Sequence, residues 1–192
     1  MIAGLLLAAG GGRRLGGRPK ALLSLDGRLF VERAADALRA AGCAPVHVVT
    51  GAAAAEVAER ADLPGCVLVP NPCWADGMGS SLRAGLASLP PGTAAALVAL
   101  VDQPRVGAAA MARVLAAHRS EHTLAAAAYG GRRGHPVLIG AAHFAGVARS
   151  ARGDRGARAY LAAREAAVVR VECGDIAVPD DVDEPGDLID LP

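Results

Sequence analysis

The sequence predicts a three-layer α/β fold with a mostly parallel sheet and one antiparallel excursion, residues 1–192 forming one domain. Three observations lead there. Short continuous apolar runs alternate with segments whose apolar residues recur at helical spacing. The first run ends in a cluster of glycines, as a buried parallel strand does on entering a turn. A 192-residue chain that is 53% apolar and 20% charged carries enough material for one sizeable core, which excludes a disordered or fibrous protein.

Residues 2–9 form the first apolar strand, and the loop from Gly10 to Lys20 follows it. Residues 29–41 read as a helix that stops at Gly42, a suitable C-terminal cap. Residues 46–50 are rich in β-formers and precede an Ala/Glu helix over 53–61. A short strand at 66–69 runs into a loop of turn residues from Asn71 to Gly79. Ser80 and Ser81 open a helix lasting to residue 89, where Pro90 and Pro91 stop it. Residues 95–101 form another apolar strand ending at Asp102-Gln103-Pro104, and 108–118 the next helix. Residues 124–129 and 136–139 read as two strands joined by a Gly/Arg turn over 130–134, the antiparallel excursion. A helix at 158–164, a strand at 168–171 and a closing turn or helix at 185–191 complete the order. No repeats or linkers interrupt it. In such sheets ligands bind beyond the carboxyl ends of the strands, so the Gly10 loop, the Asn71 loop and the Asp102 turn converge on one crevice.

Twenty Lys+Arg stand against 19 Asp+Glu, a formal charge of +1 that implies no pull toward nucleic acid or a membrane surface. Cys43, Cys66, Cys73 and Cys173 show no C-x-x-C pair and no short regular spacing, so they read as core or strand residues in a reducing compartment. The N-terminal apolar run is too short to span a bilayer. Arg13 and Arg14 follow that run, whereas an export signal needs its positive residues ahead of it. The expectation is a soluble cytoplasmic protein.

Rare residues sharpen the reading. The chain has one lysine, Lys20, one asparagine, Asn71, and one glutamine, Gln103, each in a loop that follows an apolar run. Arginine serves every other basic position, so a compact ammonium survives only after the glycine loop. A glycine loop between strand and helix brings backbone N–H groups close to phosphate oxygens. G-x-G-x-x-G fails because Leu15 stands where the third glycine belongs, and G-x-x-x-x-G-K-[ST] fails because Gly17 and Arg18 follow Gly16 and Ala21 follows Lys20.

The stretch Leu7-Ala8-Ala9-Gly10-Gly11-Gly12-Arg13-Arg14-Leu15-Gly16-Gly17-Arg18-Pro19-Lys20 resembles the L-A-A-G-x-x-x-R-x-G…K signature of nucleotidyltransferases that use a nucleoside triphosphate. Further blocks follow in order: Asn71-Pro72-x-Trp74-x-x-Gly77-Met78-x-Ser80-Ser81-Leu82, Asp102-Gln103-Pro104, Gly134-His135-Pro136-Val137, Gly153-Asp154-x-Gly156-Ala157-Arg158 and Asp181-Val182-Asp183-x-Pro185-x-Asp187-Leu188. Together they resemble the molybdenum cofactor cytidylyltransferases of the MobA-like NTP transferase superfamily over nearly the whole chain. The resemblance implies a Rossmann-like nucleotidyltransferase domain that joins CMP from CTP to the phosphate of molybdopterin and releases pyrophosphate. Related guanylyltransferases usually carry Gly where this chain has Ala9, which leans the base toward cytosine. The other readings are a guanylyltransferase for the same cofactor, a sugar- or polyol-phosphate nucleotidyltransferase, and, from another class, a non-catalytic molybdopterin carrier.

The chemistry agrees with the first of these. A substrate phosphate attacking the α-phosphorus of a triphosphate is already anionic and needs no histidine or carboxylate base; positioning and charge neutralisation suffice. Arg14 and Lys20 are the expected clamp on the phosphates and the leaving pyrophosphate, and Asp102 offers a hard oxygen ligand for Mg²⁺; as alternatives Arg14 is a solvated loop arginine and Asp102 a turn former or helix cap. By resemblance Asp183 is a second metal ligand, although it also stands among Asp180, Asp181, Glu184 and Asp187, a cluster that reads equally as a solvated face. Resemblance places Ala8, Ala9, Gly10, Gly11, Asn71, Gly77, Ser80 and Ser81 with Arg14 and Lys20 around the nucleotide, while Ser80 and Ser81 also suit helix capping. It places Gly134, His135, Pro136 and Asp154 on the pterin side; as alternatives His135 is a strand-edge residue, and Asp154 forms an i,i+4 pair with Arg158. Trp74 needs only burial beside the Asn71 loop. The implied partners are CTP and molybdopterin as substrates, with transient contact to a molybdoenzyme or its chaperone, and neither nucleic acid nor membrane.

Overall fold

In the computed structural model, β1 (Ile2–Ala8) sends Leu6 into one core and Leu5 and Leu7 into a second on the opposite face. Successive strand side chains alternate between faces, so a run that is apolar throughout marks a strand covered on both sides. The structure describes residues 1–188. A small hairpin, β2 (Ser24–Leu25) and β3 (Arg28–Leu29), turns on Asp26 and Gly27, both at positive φ. Then follow α1 (Phe30–Ala40), β4 (Val46–Thr50), α2 (Ala54–Arg60), β5 (Cys66–Pro70), α3 (Met78–Ser88), β6 (Ala95–Leu100) and α4 (Ala108–Leu115). The remainder is β7 (Leu124–Tyr129), β8 (Arg132–Gly140), α5 (Phe144–Ser150), α6 (Arg158–Ala162) and β9 (Val168–Glu172).

Seven strands form one sheet in the order β5-β4-β1-β6-β8-β7-β9. Only β8 runs against its neighbours, pairing antiparallel with β6 and β7. The first core packs Phe30, Val31 and Leu38 of α1 and Met111 and Val114 of α4 on one face. The second packs Leu82 and Leu86 of α3, Val147 of α5 and Leu161 of α6 on the other. This is the predicted three-layer α/β arrangement with its antiparallel excursion. β1 lies between β4 and β6 with Leu7 opposite Leu100, so the Gly10 loop and the Asp102 turn leave the sheet side by side.

Several boundaries differ from expectation. α3 begins at Met78 rather than Ser80, because Gly77 at φ 94° turns the chain one residue ahead of it. The excursion's turn is only Gly130-Gly131, both at positive φ, and β8 starts at Arg132 instead of Pro136. α4 ends at Leu115, not His118. α5 and the β2–β3 hairpin are additions. A 3₁₀ turn covers Pro185–Leu188, and the remainder of the expected closing element, 189–191, lies outside the described residues. All four cysteines are free thiols. Among the described residues no helix is long and apolar enough to cross a membrane.

Candidate active site

β1 opens into Gly10-Gly11-Gly12, where the chain must reverse. Gly12 sits at φ 62°, and a Cβ there would come within 1.8 Å of the Arg18 carbonyl oxygen, so no other residue fits without moving the loop. The Gly12 carbonyl accepts from the N–H groups of Leu15 (2.9 Å) and Gly17 (3.0 Å), and buried Leu15 pins the turn to the core. A 3₁₀ turn, Lys20–Leu22, follows with Ala21 buried beneath it.

That turn delivers Lys20 to two carboxylates. Its Nζ donates to Asp102 Oδ2 at 2.7 Å and to Asp183 Oδ1 at 2.6 Å, and Arg14 Nη1 donates to Asp183 Oδ2 at 3.1 Å. Burial works against the ammonium, but the charge of Asp102 and the hydrogen bonds that Lys20 donates to both carboxylates outweigh it and lift the Lys20 pKa above its ordinary value. Asp183 arrives on a segment stitched to the end of β6. Val182 N–H donates to the Asp102 carbonyl at 2.9 Å, and Gln103 Nε2 donates to the Pro179 carbonyl (3.2 Å) and Asp181 Oδ1 (2.8 Å). Asp187 Oδ2 accepts from the N–H groups of Asp183 and Glu184, each at 2.8 Å. Burial, with the nearby charges of Asp102 and Asp183, raises the Asp181 pKa.

The glycine loop, Lys20 and Asp102 line a cleft of about 440 Å³ with Ala9, Trp74, Gly77, Met78, Ser81 and Asp154. Trp74 leans over the loop; a Cβ on Gly11 would meet its ring at 3.1 Å. Of the sequence-predicted nucleotide residues, Arg14 does not line the cleft: it is exposed and held on Asp183, and Arg13 lines the cleft instead, while the others divide into lining and support. Ala9, Gly10, Gly11, Lys20, Gly77 and Ser81 face the cleft. Ala8 is buried within β1, and Asn71 and Ser80 are buried behind the wall. Asn71 Nδ2 donates to Ser80 Oγ (2.9 Å) and Ser81 Oγ (3.1 Å), while Ser80 Oγ donates to the carbonyls of Cys73 (2.7 Å) and Gly77 (2.9 Å). The lone asparagine thus closes the loop from 71 to 79 onto the start of α3, pairing the buried polar side chains there with one another and with the backbone.

A second cleft of about 480 Å³ shares Met78, Leu100 and Asp154 with the first. Ala126, Val137 and Leu161 form its apolar floor, and Arg132, Arg133, Arg155 and Arg158 line it. Gly134 and His135 line it too, whereas Pro136 is buried under its wall. Tyr129, which sequence reasoning passed over, donates its hydroxyl to the His135 carbonyl at 2.8 Å, and burial pushes its own pKa up to about 12. Burial, with Arg158 nearby, pushes His135 down to about 4 against the opposing charge of Asp102, so the cleft presents a neutral imidazole at neutral pH. Asp154 forms no ion pair with Arg158 among the described residues; it lies instead against Gly77 at the junction of the clefts. The arginines were visible in the sequence beside the Gly134 and Gly153 blocks, and only the fold gathers them.

Asp102 and Asp183 aim one oxygen each at a single point. Among the described residues no three or more His, Cys, Asp or Glu side chains are placed together to hold a metal ion, so the protein supplies two hard carboxylates and no complete cage. That donor set fits Mg²⁺ or Mn²⁺, which take one or two carboxylates and fill the remaining positions with phosphate oxygens and water.

Comparison with known proteins identifies the family and the fold. The MobA-like NTP transferase domain matches residues 4–168. Nicotine blue oxidoreductase of Paenarthrobacter nicotinovorans is 42% identical over 189 residues, covering 95% of this chain and 92% of that protein. The homologue of Mycobacterium tuberculosis Rv0371c from Mycobacterium sp. strain JC1 has a TM-score of 0.83 at 32% identity, covering 97% of this chain and 92% of that one. Mycobacterium tuberculosis Rv0371c itself, solved in complex with manganese, has a TM-score of 0.77 at 28% identity over 99% of both chains. With the glycine loop, the paired carboxylates and the strand order in place, the chain belongs to the MobA-like NTP transferase family.

Proposed function

We propose that this protein is a Mg²⁺-dependent cytidylyltransferase that transfers CMP from CTP to the phosphate of molybdopterin and releases pyrophosphate. A phosphate oxygen of the acceptor forms the new bond to the α-phosphorus as the bond to the pyrophosphate oxygen breaks. The observation that carries the reading is one cleft holding the glycine loop, Lys20 and Asp102, which shares a wall with a second cleft lined by arginines. The Gly10 and Gly11 backbone holds the triphosphate, while Lys20 and Arg14 offset its charge. Asp102 and Asp183 would hold the metal, which would supply neutralisation of the charge on the leaving group. The arginine cleft takes the anionic acceptor, with Gly134, His135 and Asp154 beside it. Neutral His135 serves binding, since the nucleophile needs no base. Ala9 lines the cleft, and the resemblance, in which guanylyltransferases usually carry Gly there, leans the base toward cytosine.

Pyrophosphate release with each of CTP, GTP, ATP and UTP, with and without molybdopterin, tests this. Release confined to CTP plus molybdopterin is the expected result. Release with GTP moves the activity to guanylyl transfer, and release only with a sugar or polyol phosphate discards the acceptor.

A second reading rests on the 42% identity to an oxidoreductase. An oxidoreductase needs an electron carrier, and a glycine-loop cleft can hold the diphosphate of a nicotinamide dinucleotide. Oxidation of NADH or NADPH dependent on nicotine blue, without pyrophosphate release from any triphosphate, would establish it. The transferase reading stands first because it gives Lys20, Asp102 and Asp183 a chemical role.

A further inference from the structure

We propose that Lys20 is a stand-in cation that makes metal binding at Asp102 and Asp183 conditional on a bound triphosphate; this rests on the reading that those two carboxylates hold the metal. The Lys20 ammonium lies 2.7 Å from Asp102 Oδ2 and 2.6 Å from Asp183 Oδ1, the two oxygens that converge on one point. The Lys20–Asp102 half of the contact is sheltered, with side-chain exposures of 16% and 21%, so it is not a freely solvated surface pair, while Asp183 is 39% exposed and open to exchange. Arg14 holds the other oxygen of Asp183 at 3.1 Å.

A divalent ion needs the same oxygens. Two carboxylates beside both an ammonium and a divalent ion would leave excess positive charge in a partly desolvated site, so the two cations exclude each other. Lys20 leaves only if another anion receives it. Lys20, Gly10 and Gly11 line the same cleft, so a triphosphate held on the glycine loop is that anion. Metal and triphosphate therefore strengthen each other's binding, and by linkage the effect is reciprocal. Lysine suits such an exchange of partners. Every other basic side chain among the 20 Lys+Arg is arginine, whose planar fork is built to stay on a carboxylate, whereas a single ammonium on a flexible stem can move from one anion to another.

Two measurements test this. Mn²⁺ binding followed by electron paramagnetic resonance, without nucleotide, compares the natural protein with Lys20→Met and Lys20→Met/Asp102→Asn. Lys20→Met is expected to bind Mn²⁺ roughly tenfold or more tightly than the natural protein, and Asp102→Asn to abolish that gain. Equal or weaker binding by folded Lys20→Met overturns the proposal, as does a gain that survives Asp102→Asn. The second measurement needs no variant, because ¹⁵N-lysine labelling marks one side chain in this chain. The Lys20 ammonium signal is expected to ignore Mg²⁺ alone and to move when Mg²⁺ and CTP are added together. Movement with Mg²⁺ alone, or none with Mg²⁺ and any triphosphate, overturns it. The transferase reading is judged separately by pyrophosphate release, so an active enzyme with an unmoved lysine signal loses only the gate.

Discussion

Gly77 and Asp154 meet with no room between them: a Cβ on Gly77 would stand 2.5 Å from Asp154 Oδ1. Gly77 also holds φ 94°, a conformation that strains any side chain. Met78 and Asp154 line both clefts, so this contact fixes the spacing of one cleft from the other. Gly77→Ala is expected to cost about 1–3 kcal/mol of stability, a fall in Tm of roughly 2–10 °C. Its kcat/KM should fall about tenfold for nucleotide and acceptor alike. A variant that loses efficiency toward one substrate only would show the clefts to be independent.

Lys20→Ala should lower turnover by roughly 10²–10³-fold while leaving the fold intact, because it removes charge opposite the phosphates and no packed apolar surface. Steady-state pyrophosphate release and a circular-dichroism melt read the two effects. Near-normal turnover would remove Lys20 from the phosphates.

Asp102→Asn should raise the Mg²⁺ concentration for half-maximal rate about tenfold or more, since an amide oxygen is a much weaker ligand than a carboxylate. An unchanged metal titration would count against the metal role. Asp102 also accepts from Lys20 at 2.7 Å, so the Lys20 ammonium in this variant is expected to turn more fully to Asp183.

Arg158→Ala should raise KM for the acceptor several-fold, roughly 1 kcal/mol for a lost charge-assisted contact, with KM for CTP unchanged. Arg158 lines the second cleft and not the first, and the pattern of the two constants is the readout.

His135 gives a pH prediction. Its folded pKa is pushed down to about 4 from an ordinary value of 6.5, so below pH 6.5 the unfolded chain takes up a proton that the folded chain refuses. The stability tied to the neutral imidazole is complete above pH 6.5 and is lost as pH falls toward 4, on the order of 1–3 kcal/mol. His47, whose pKa burial also lowers, acts in the same direction, so the test is a difference. Urea midpoints between pH 7 and pH 4.5 should fall less for His135→Gln than for the natural protein.

Much of the fold was legible because the chain states it locally. Leu5-Leu6-Leu7 is apolar throughout because both faces of β1 are covered, and the glycines after it mark the turn. α5 escaped because Phe144–Ser150 spans two turns and buries only Val147, too little for a helical period to emerge. The start of β8 was misplaced because Arg132, Arg133 and Gly134 carry no strand preference and are drawn into the ladder by β7. The glycine loop was readable from its place after an apolar run, and Lys20 from its rarity and the family resemblance. The meeting of Lys20 with Asp183 was not, since those residues are 163 positions apart and are brought together by the stitching of Val182 to Asp102 and of Pro179 and Asp181 to Gln103. The same holds for Gly77 against Asp154, whose reason is a distance across the fold.

That stitching also orders events during synthesis. A ribosome delivers the glycine loop and Lys20 first, Asp102 after the central strand of the sheet, and Asp183 only when the sheet's last strand, β9, has already been made. On the proposed function, the pair of carboxylates offered to the metal exists only once residue 183 has been made, and a shorter fragment carries Asp102 without its partner.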